Sequence, residues 1–393
     1  MKTLAKTLGL LALTIGALGC KSKSVAATNG GSAMDPTCVL VREGFGPRGA
    51  VRVRAEVVAQ GLTVPWSIGF LPDGDLLVTE RPGRIRRVSG GRVSAPVATI
   101  DVGTSGEAGL LGLAIAPDFV STRHFYVYLT DSGGGALRNR IERWTLSANG
   151  ESASRDRTIL EGIPSAQFHD GGRLRFGPDG MLYAGTGDAR DPALARDRSS
   201  LAGKLLRMTA DGGVPSDNPF SGSLVYLSGL RNLQAFDWRR GQTLVVADHG
   251  PSGELGRSGH DEVSVAKAGD DLGWPTIYGC EDAQGLVTPR ISWQTAVPPG
   301  GAAFYTGSAI PEWKDNLLIG TLGSKHLHRV VFDDAASRVT VHEVYFEGDP
   351  PSGYGRLRDV IMGPDGHLYV TTSNCDGRGD CPSSGDVILR IVR

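Results

Sequence analysis

One hydrophobic–polar phrase returns along the chain. It reads FLPDGDLLVTE at Phe70–Glu80, FGPDGMLYAGTGD at Phe176–Asp188 and MGPDGHLYVTTSN at Met362–Asn374. Each copy is an apolar residue, a Pro-Asp-Gly turn and a short alternating strand. Proline presets one backbone angle of such a turn, and glycine accepts angles that other residues resist. Alternation such as LLVTE and LYVTT sends successive side chains to opposite faces of a sheet. Weaker relatives fill the gaps: IAPDFVSTRHFYVYLT at Ile115–Thr130, AFDWRRGQTLVVAD at Ala235–Asp248 and IPEWKDNLLIGTL at Ile310–Leu322. No long segment carries the period of an amphipathic helix. Units near residues 70, 115, 176, 235, 310 and 362 predict an all-β fold, a six-bladed β-propeller of four-stranded antiparallel blades. The widest interval lies between 248 and 310, so the thickest loops are expected there.

Composition supports this picture. The chain of 393 residues holds 56 glycines and 22 prolines without a collagen period, which suits many tight turns. Its formal charge is -1, and no Lys/Arg cluster with interleaved aromatics is present, so nucleic acid is not an expected partner. Lys2 and Lys6 precede the apolar run Leu8–Leu18, which ends in Ala17-Leu18-Gly19-Cys20. Residues 1–20 therefore read as a lipoprotein-type export signal, with Cys20 the lipidated residue and the only link to a membrane. Residues 21–37 read as a flexible tether, and 38–393 as a single propeller domain. The expected location is periplasmic or on the extracellular face. In an oxidising compartment, Cys375 and Cys381 close a small loop around DGRGD, which leaves Cys38 for Cys280. Zinc is the weaker reading of these cysteines.

The loops that lead into the units carry the polar chemistry. His169, in QFHDGGRL, is a candidate general base because imidazole titrates near working pH. Arg231 and Asn232, in GLRN, offer a fixed cationic fork and an amide that both donates and accepts. Gly250-Pro251 exposes two consecutive carbonyls, and Asp261 follows in GHDEV; hard cations such as calcium take such oxygens. Arg356 and Arg358, in GRLRDV, alternate onto one face and, without matched acids, suit an anion with several carboxylates. His169, Arg231 and this pair occupy equivalent positions before their own units, and equivalent positions in a propeller converge on one rim.

Taken together, PWSIGFLPDGDLLVTERPGRIRRV, EAGLLGLAIAPDF, HDGGRLRFGPDG, GLRN, DHGP, DDLGWP and GRLRDV resemble the soluble quinoprotein sugar dehydrogenases, dependent on pyrroloquinoline quinone (PQQ). The resemblance runs from about Leu62 to Arg393. It implies PQQ and calcium as cofactors and an aldose oxidised at C1 to its lactone. Electrons would pass to a diffusible or membrane acceptor. It implies His169 as the base, Arg231 beside the quinone, Asn232, Arg356 and Arg358 as PQQ contacts, and Gly250, Pro251 and Asp261 at calcium. Glu107 stands where a glutamine of the family lies, and Gly323 matches the position of a lysine, with Lys325 two residues on as the substitute contact. Trp66, Trp274, Trp293, Phe168 and Tyr305 are available to wall a sugar pocket. Two rival readings keep the propeller: a non-catalytic glycan- or protein-binding module with a degenerate pocket, and a calcium-dependent lactonase.

Overall fold

The computed structural model describes residues 33–131, 133 and 137–393. The expected export signal, the expected lipidation site at Cys20 and most of the expected tether lie outside the described residues. Six sheets carry the fold. Blade one is Pro65–Phe70, Leu76–Glu80, Arg84–Ser89 and Arg92–Thr99. Blade two is Leu110–Ile115, His124–Thr130, Arg138–Leu146 and Ala153–Pro164, and blade three Leu174–Phe176, Leu182–Gly185, Leu205–Met208 and Val225–Leu227. Blade four is Leu233–Arg239, Thr243–Asp248, Asp261–Ala266 and Ile291–Trp293. Blade five is Pro299–Phe304, Leu317–Thr321, Leu327–Phe332 and Val339–Tyr345. Blade six takes Leu357–Met362, Leu368–Thr372 and Asp386–Val392 from the end of the chain and Arg54–Leu62 from near its start.

The propeller expectation holds, with one difference. Blade four has a fifth strand, because Val39–Val41 adds parallel to Ile291–Trp293. Residues 33–37, read from composition as tether, are also docked: Ala33–Met34 pairs with Glu281–Asp282. Both expected disulfides form, Cys38–Cys280 and Cys375–Cys381. The first ties this arm to the long 267–290 loop, in the interval where thick loops were expected.

Each repeated phrase joins the first strand of its blade to the second. The turn aspartates Asp73, Asp179 and Asp365 accept the amides of Asp75, Met181 and His367 at 3.1 Å, which closes the turn locally. The next glycines, Gly74, Gly180 and Gly366, take φ of 89°, 74° and 78°, the left-handed region where a side chain is strained. Apolar positions of neighbouring blades then interleave. Leu77 and Ile85 of blade one pack with Leu113 and Phe125 of blade two, and Tyr126 and Tyr128 with Leu182 and Leu206 of blade three. At the closing seam Ile68 and Val78 meet Ala59 and Ile388. Burying each such side chain contributes roughly 1.5–3 kcal/mol, so the seams carry the fold's stability.

Candidate active site

Because the Pro-Asp-Gly turns end the first strands, those strands begin at the opposite rim. There, a cavity of about 420 Å³ is lined by Glu107, Phe168, His169, Arg190, Arg231, Asn232, His249, Ser252, Glu254, Pro298, Leu322, Gly323, Arg356 and Arg378. These residues lie just before first strands or just after second strands, so the expected convergence on one rim is what the fold produces.

His169 has φ of 67° and is buried. Its loop lies so close to the end of strand Leu182–Gly185 that a Cβ on Gly187 would overlap the His169 carbonyl. His169 Nδ1 lies 2.7 Å from Asp188 Oδ1. The carboxylate can only accept, so Nδ1 carries a proton, and in the neutral ring the lone pair is on Nε2. Asp188 is fixed in turn by the Trp274 indole N–H at 2.9 Å and the Arg190 amide at 2.8 Å. Asp188 and Trp274 complete the base and were missed as a set by sequence reasoning. A signal existed: Glu80, Asp188, Asp248 and Asn374 all stand at or within three residues of the end of a second strand and accept amides.

Arg231 and Asn232 are set by Asp248, whose two oxygens accept their amides at 2.6 and 2.9 Å. Asn232 Oδ1 accepts the Gly171 amide at 2.9 Å, so this side chain also braces the His169 loop. Arg231 donates from one terminal nitrogen to Glu254 Oε1 at 2.9 Å, while its buried Nε has no partner among the described residues. Glu254 Oε1 also lies 3.6 Å from His169 Nε2, so this glutamate, unmarked in the sequence, stands between base and arginine.

Glu107 Oε2 accepts the His169 amide at 3.1 Å, and Oε1 pairs with Arg378 at 3.0 Å. Burial pushes its carboxyl up, but His249, Arg378 and the His169 amide together hold it down to about 2. His249 donates from Nε2 to the Pro299 carbonyl at 2.7 Å, and burial lowers it to about 4. It is therefore neutral at pH 7, where Arg378 is the cation that balances Glu107.

Other expected residues stand elsewhere. Arg356 lines the cavity, but Arg358 lies deeper, bonded to Ser373 Oγ at 2.9 Å and packed over Trp66 at 5.6 Å. Both have a matched acid after all, Asp376, at 2.8 Å from Arg356 and 3.5 Å from Arg358. It was hidden because it follows them by a whole hairpin. Lys325 pairs with Asp349 at 2.6 Å and does not line the cavity; Gly323 does. Asp261 spends both oxygens on the Gly250 and Val297 amides, at 3.0 and 2.6 Å, so it shapes the Gly250-Pro251 step. No cluster of three or more His, Cys, Asp or Glu able to hold a metal occurs among the described residues. Gly250 and Pro251 are not among the residues that line the cavity, although their neighbours His249 and Ser252 are. Of the aromatic candidates, Phe168 lines the cavity, whereas Trp293 and Tyr305 are buried in inter-blade cores.

The family model for glucose/sorbosone dehydrogenases matches residues 62–390, from the closing strand through all six blades. The chain belongs to the glucose/sorbosone dehydrogenase family. Within it, the chain is 32% identical over 353 residues to the aldose sugar dehydrogenase YliI of Escherichia coli, covering 83% of this chain and 91% of the relative. It is 27% identical to quinoprotein glucose dehydrogenase B of Acinetobacter calcoaceticus, covering 81% and 84%. Among solved structures, the PQQ-bound aldose sugar dehydrogenase of Streptomyces coelicolor superposes with a TM-score of 0.77 at 36% identity, covering 87% and 98%. An oxidoreductase of Thermus thermophilus, described as a glucose dehydrogenase, gives 0.79 at 41%, covering 87% and 100%. This glucose/sorbosone dehydrogenase chain thus carries its polar cavity on the same scaffold as a relative solved with PQQ.

Proposed function

We propose that the chain oxidises an aldose at C1 to its lactone, using PQQ held at the cavity rim and calcium at the Gly250-Pro251 step. The observation that carries the reading is His169, anchored through Nδ1 by Asp188, with Nε2 3.6 Å from Glu254 in an arginine-lined cavity. The donor set fits a polycarboxylate. Arg190, Arg231, Arg356 and Arg378 line the cavity, the Arg231 Nε is an unpartnered buried donor, and Gly323 adds no side chain. When bound, PQQ supplies the acceptor for the hydride that leaves C1.

His169 Nε2 takes the C1 hydroxyl proton as that hydride departs, so oxygen and carbon form the lactone carbonyl. Asp188 keeps the imidazole upright and stabilises the imidazolium that results. Arg231 places fixed positive charge beside the reacting centre without needing to reorganise. Phe168 offers an apolar wall for a sugar face. Export to an oxidising compartment, with a lipid anchor at Cys20, is part of the same proposal and agrees with the two disulfides.

The test is reconstitution with PQQ and calcium, followed by dye reduction with a panel of aldoses. A cofactor-dependent absorbance change and sugar-dependent dye reduction, both lost on chelation of calcium, are expected. Neither signal in well-folded protein would overturn the reading.

A further inference from the structure

The ring closed by Cys375–Cys381 lies on the cavity, and three contacts fix it there. Asp376 Oδ2 accepts from Arg356 Nε and a terminal nitrogen at 3.0 and 2.8 Å, while Oδ1 accepts the Arg378 amide at 2.9 Å. Gly379 lies flush on Arg356: a Cβ there would stand 2.7 Å from the Arg356 Cδ. Arg81 of blade one donates to the Asp376 carbonyl at 3.3 Å and also to the Gly106 carbonyl, so one guanidinium joins the ring to the loop that carries Glu107. The ring then presents Arg378 over the cavity, 3.0 Å from Glu107 and 5.1 Å over the Phe168 ring.

Charge makes this placement matter. Glu107 is an ionised carboxylate in the wall of a cavity that otherwise suits an anion, and it is fixed by the His169 amide. Its bare charge at hydrogen-bond range would repel an incoming carboxylate strongly in so buried a place. Arg378 reaches it with its side chain 44% exposed, and its guanidinium has further N–H donors beyond the nitrogen that Glu107 holds. Arginine suits this double duty because its five N–H groups can serve two acceptors at once.

We propose that Arg378 is an anion-binding residue of this cavity whose charge cancels that of Glu107, and that the Cys375–Cys381 ring exists at this rim to hold it there. The inference rests on the cofactor reading above and adds a residue, a pairing and a role for the ring. Without Arg378, Glu107 faces the anion alone; without both, the cavity returns to nearly the same balance of charge.

The experiment measures PQQ affinity by quenching of tryptophan fluorescence, independent of turnover, with calcium present. Arg378→Gln is expected to weaken binding about tenfold, about threefold from the lost direct contact and the rest from the uncancelled charge of Glu107. Glu107→Gln should bind as tightly as the wild type or more so. The double variant Glu107→Gln/Arg378→Gln should recover to within about threefold of wild type, the remainder being the lost direct contact. The paired Cys375→Ser/Cys381→Ser variant should weaken binding in the same direction as Arg378→Gln, with a circular-dichroism melt confirming that the propeller stays folded. Arg356→Gln is the reference. If it weakens binding while Arg378→Gln does not, or if the double variant binds no better than Arg378→Gln alone, the inference falls and the cofactor reading stands. No quenching in the wild type overturns the cofactor reading and the inference with it.

Discussion

Asp188 Oδ1 sits 2.7 Å from the Nδ1 of His169, and the same carboxylate receives the Trp274 indole at 2.9 Å. The acid therefore does two jobs: it selects the tautomer and it stops the imidazole from turning. Asp188→Asn should lower kcat by roughly 10²–10⁴-fold, the span set by loss of a properly oriented base. PQQ affinity should stay close to wild type, since Asp188 itself is fully buried behind the histidine. Stopped-flow reduction by aldose together with a fluorescence titration checks both; equal loss of binding and turnover would contradict the assignment.

Glu254 sits where an incoming anion or sugar hydroxyl has to compete. It pairs with Arg231 at 2.9 Å from a turn whose neighbours Gly253, Leu255 and Gly256 all have positive φ, of 114°, 56° and 70°. Glu254→Gln keeps the shape and removes the charge, so Arg231 should bind PQQ several-fold more tightly. The readout is the fluorescence titration. Weaker binding would mean that Glu254 supports the ligand instead of competing with it.

Acid should destabilise the fold through blade five. His326 Nε2 lies 3.0 Å from His328 Nδ1, His328 stacks on His342 at 5.7 Å, and Phe45 and Trp293 cover the group. The Ser324 carbonyl accepts from His326 Nδ1, which leaves His328 Nε2 an acceptor without a partner among the described residues. Burial holds His326 down to about 4, and His328 and His342 below the usual imidazole range. The unfolded chain takes up protons below about pH 6.5 while the folded chain does not. This contribution is thus complete above that pH and is lost as pH falls toward 4. Asp170 and Asp248, raised to about 6 by burial, work in the opposite direction. A variant comparison isolates the histidines: the urea midpoint of His328→Gln should fall less steeply between pH 7 and 5 than that of wild type. Parallel slopes would sink the idea.

The Cys38–Cys280 bond joins residues 242 apart in sequence, so it restricts the unfolded chain over a long span. Cys38→Ser/Cys280→Ser should lower the melting temperature by several degrees, from a loss of roughly 2–4 kcal/mol. The arm is also held by strand Val39–Val41, so it should stay docked at room temperature and turnover should change little. Differential scanning calorimetry beside the dye assay separates the two effects.

Much of the fold was legible because its punctuation is local. A Pro-Asp-Gly turn closes on its own amides, so three copies in the sequence become three equivalent hairpins. His169, Arg231 and Arg356 were legible for the same reason, as residues that enter a repeat strand. What stayed hidden was pairing. Arg356 and Arg358 looked unopposed until the hairpin that follows them brought Asp376 back, and Glu107 looked isolated until Arg378 arrived from 271 residues away. Lys325, named from the resemblance, has its backbone in the left-handed region, φ 53°, and its ammonium on Asp349, a pairing that the sequence does not announce. Blade four's fifth strand was likewise invisible, since a three-residue parallel strand carries no periodicity of its own.

The strand Arg54–Leu62 zips onto Asp386–Val392, and the Val64 amide reaches Asp386 across 322 residues. A disc shut in this way has no independent first blade to fold around. Its beginning must stay unpaired until its end has been delivered, and then both are protected at once. Such a long-range latch raises the contact order and so slows assembly. It also means that the cavity, whose lining includes Arg356 and Arg378 of blade six, takes its final dimensions only when this seam is closed.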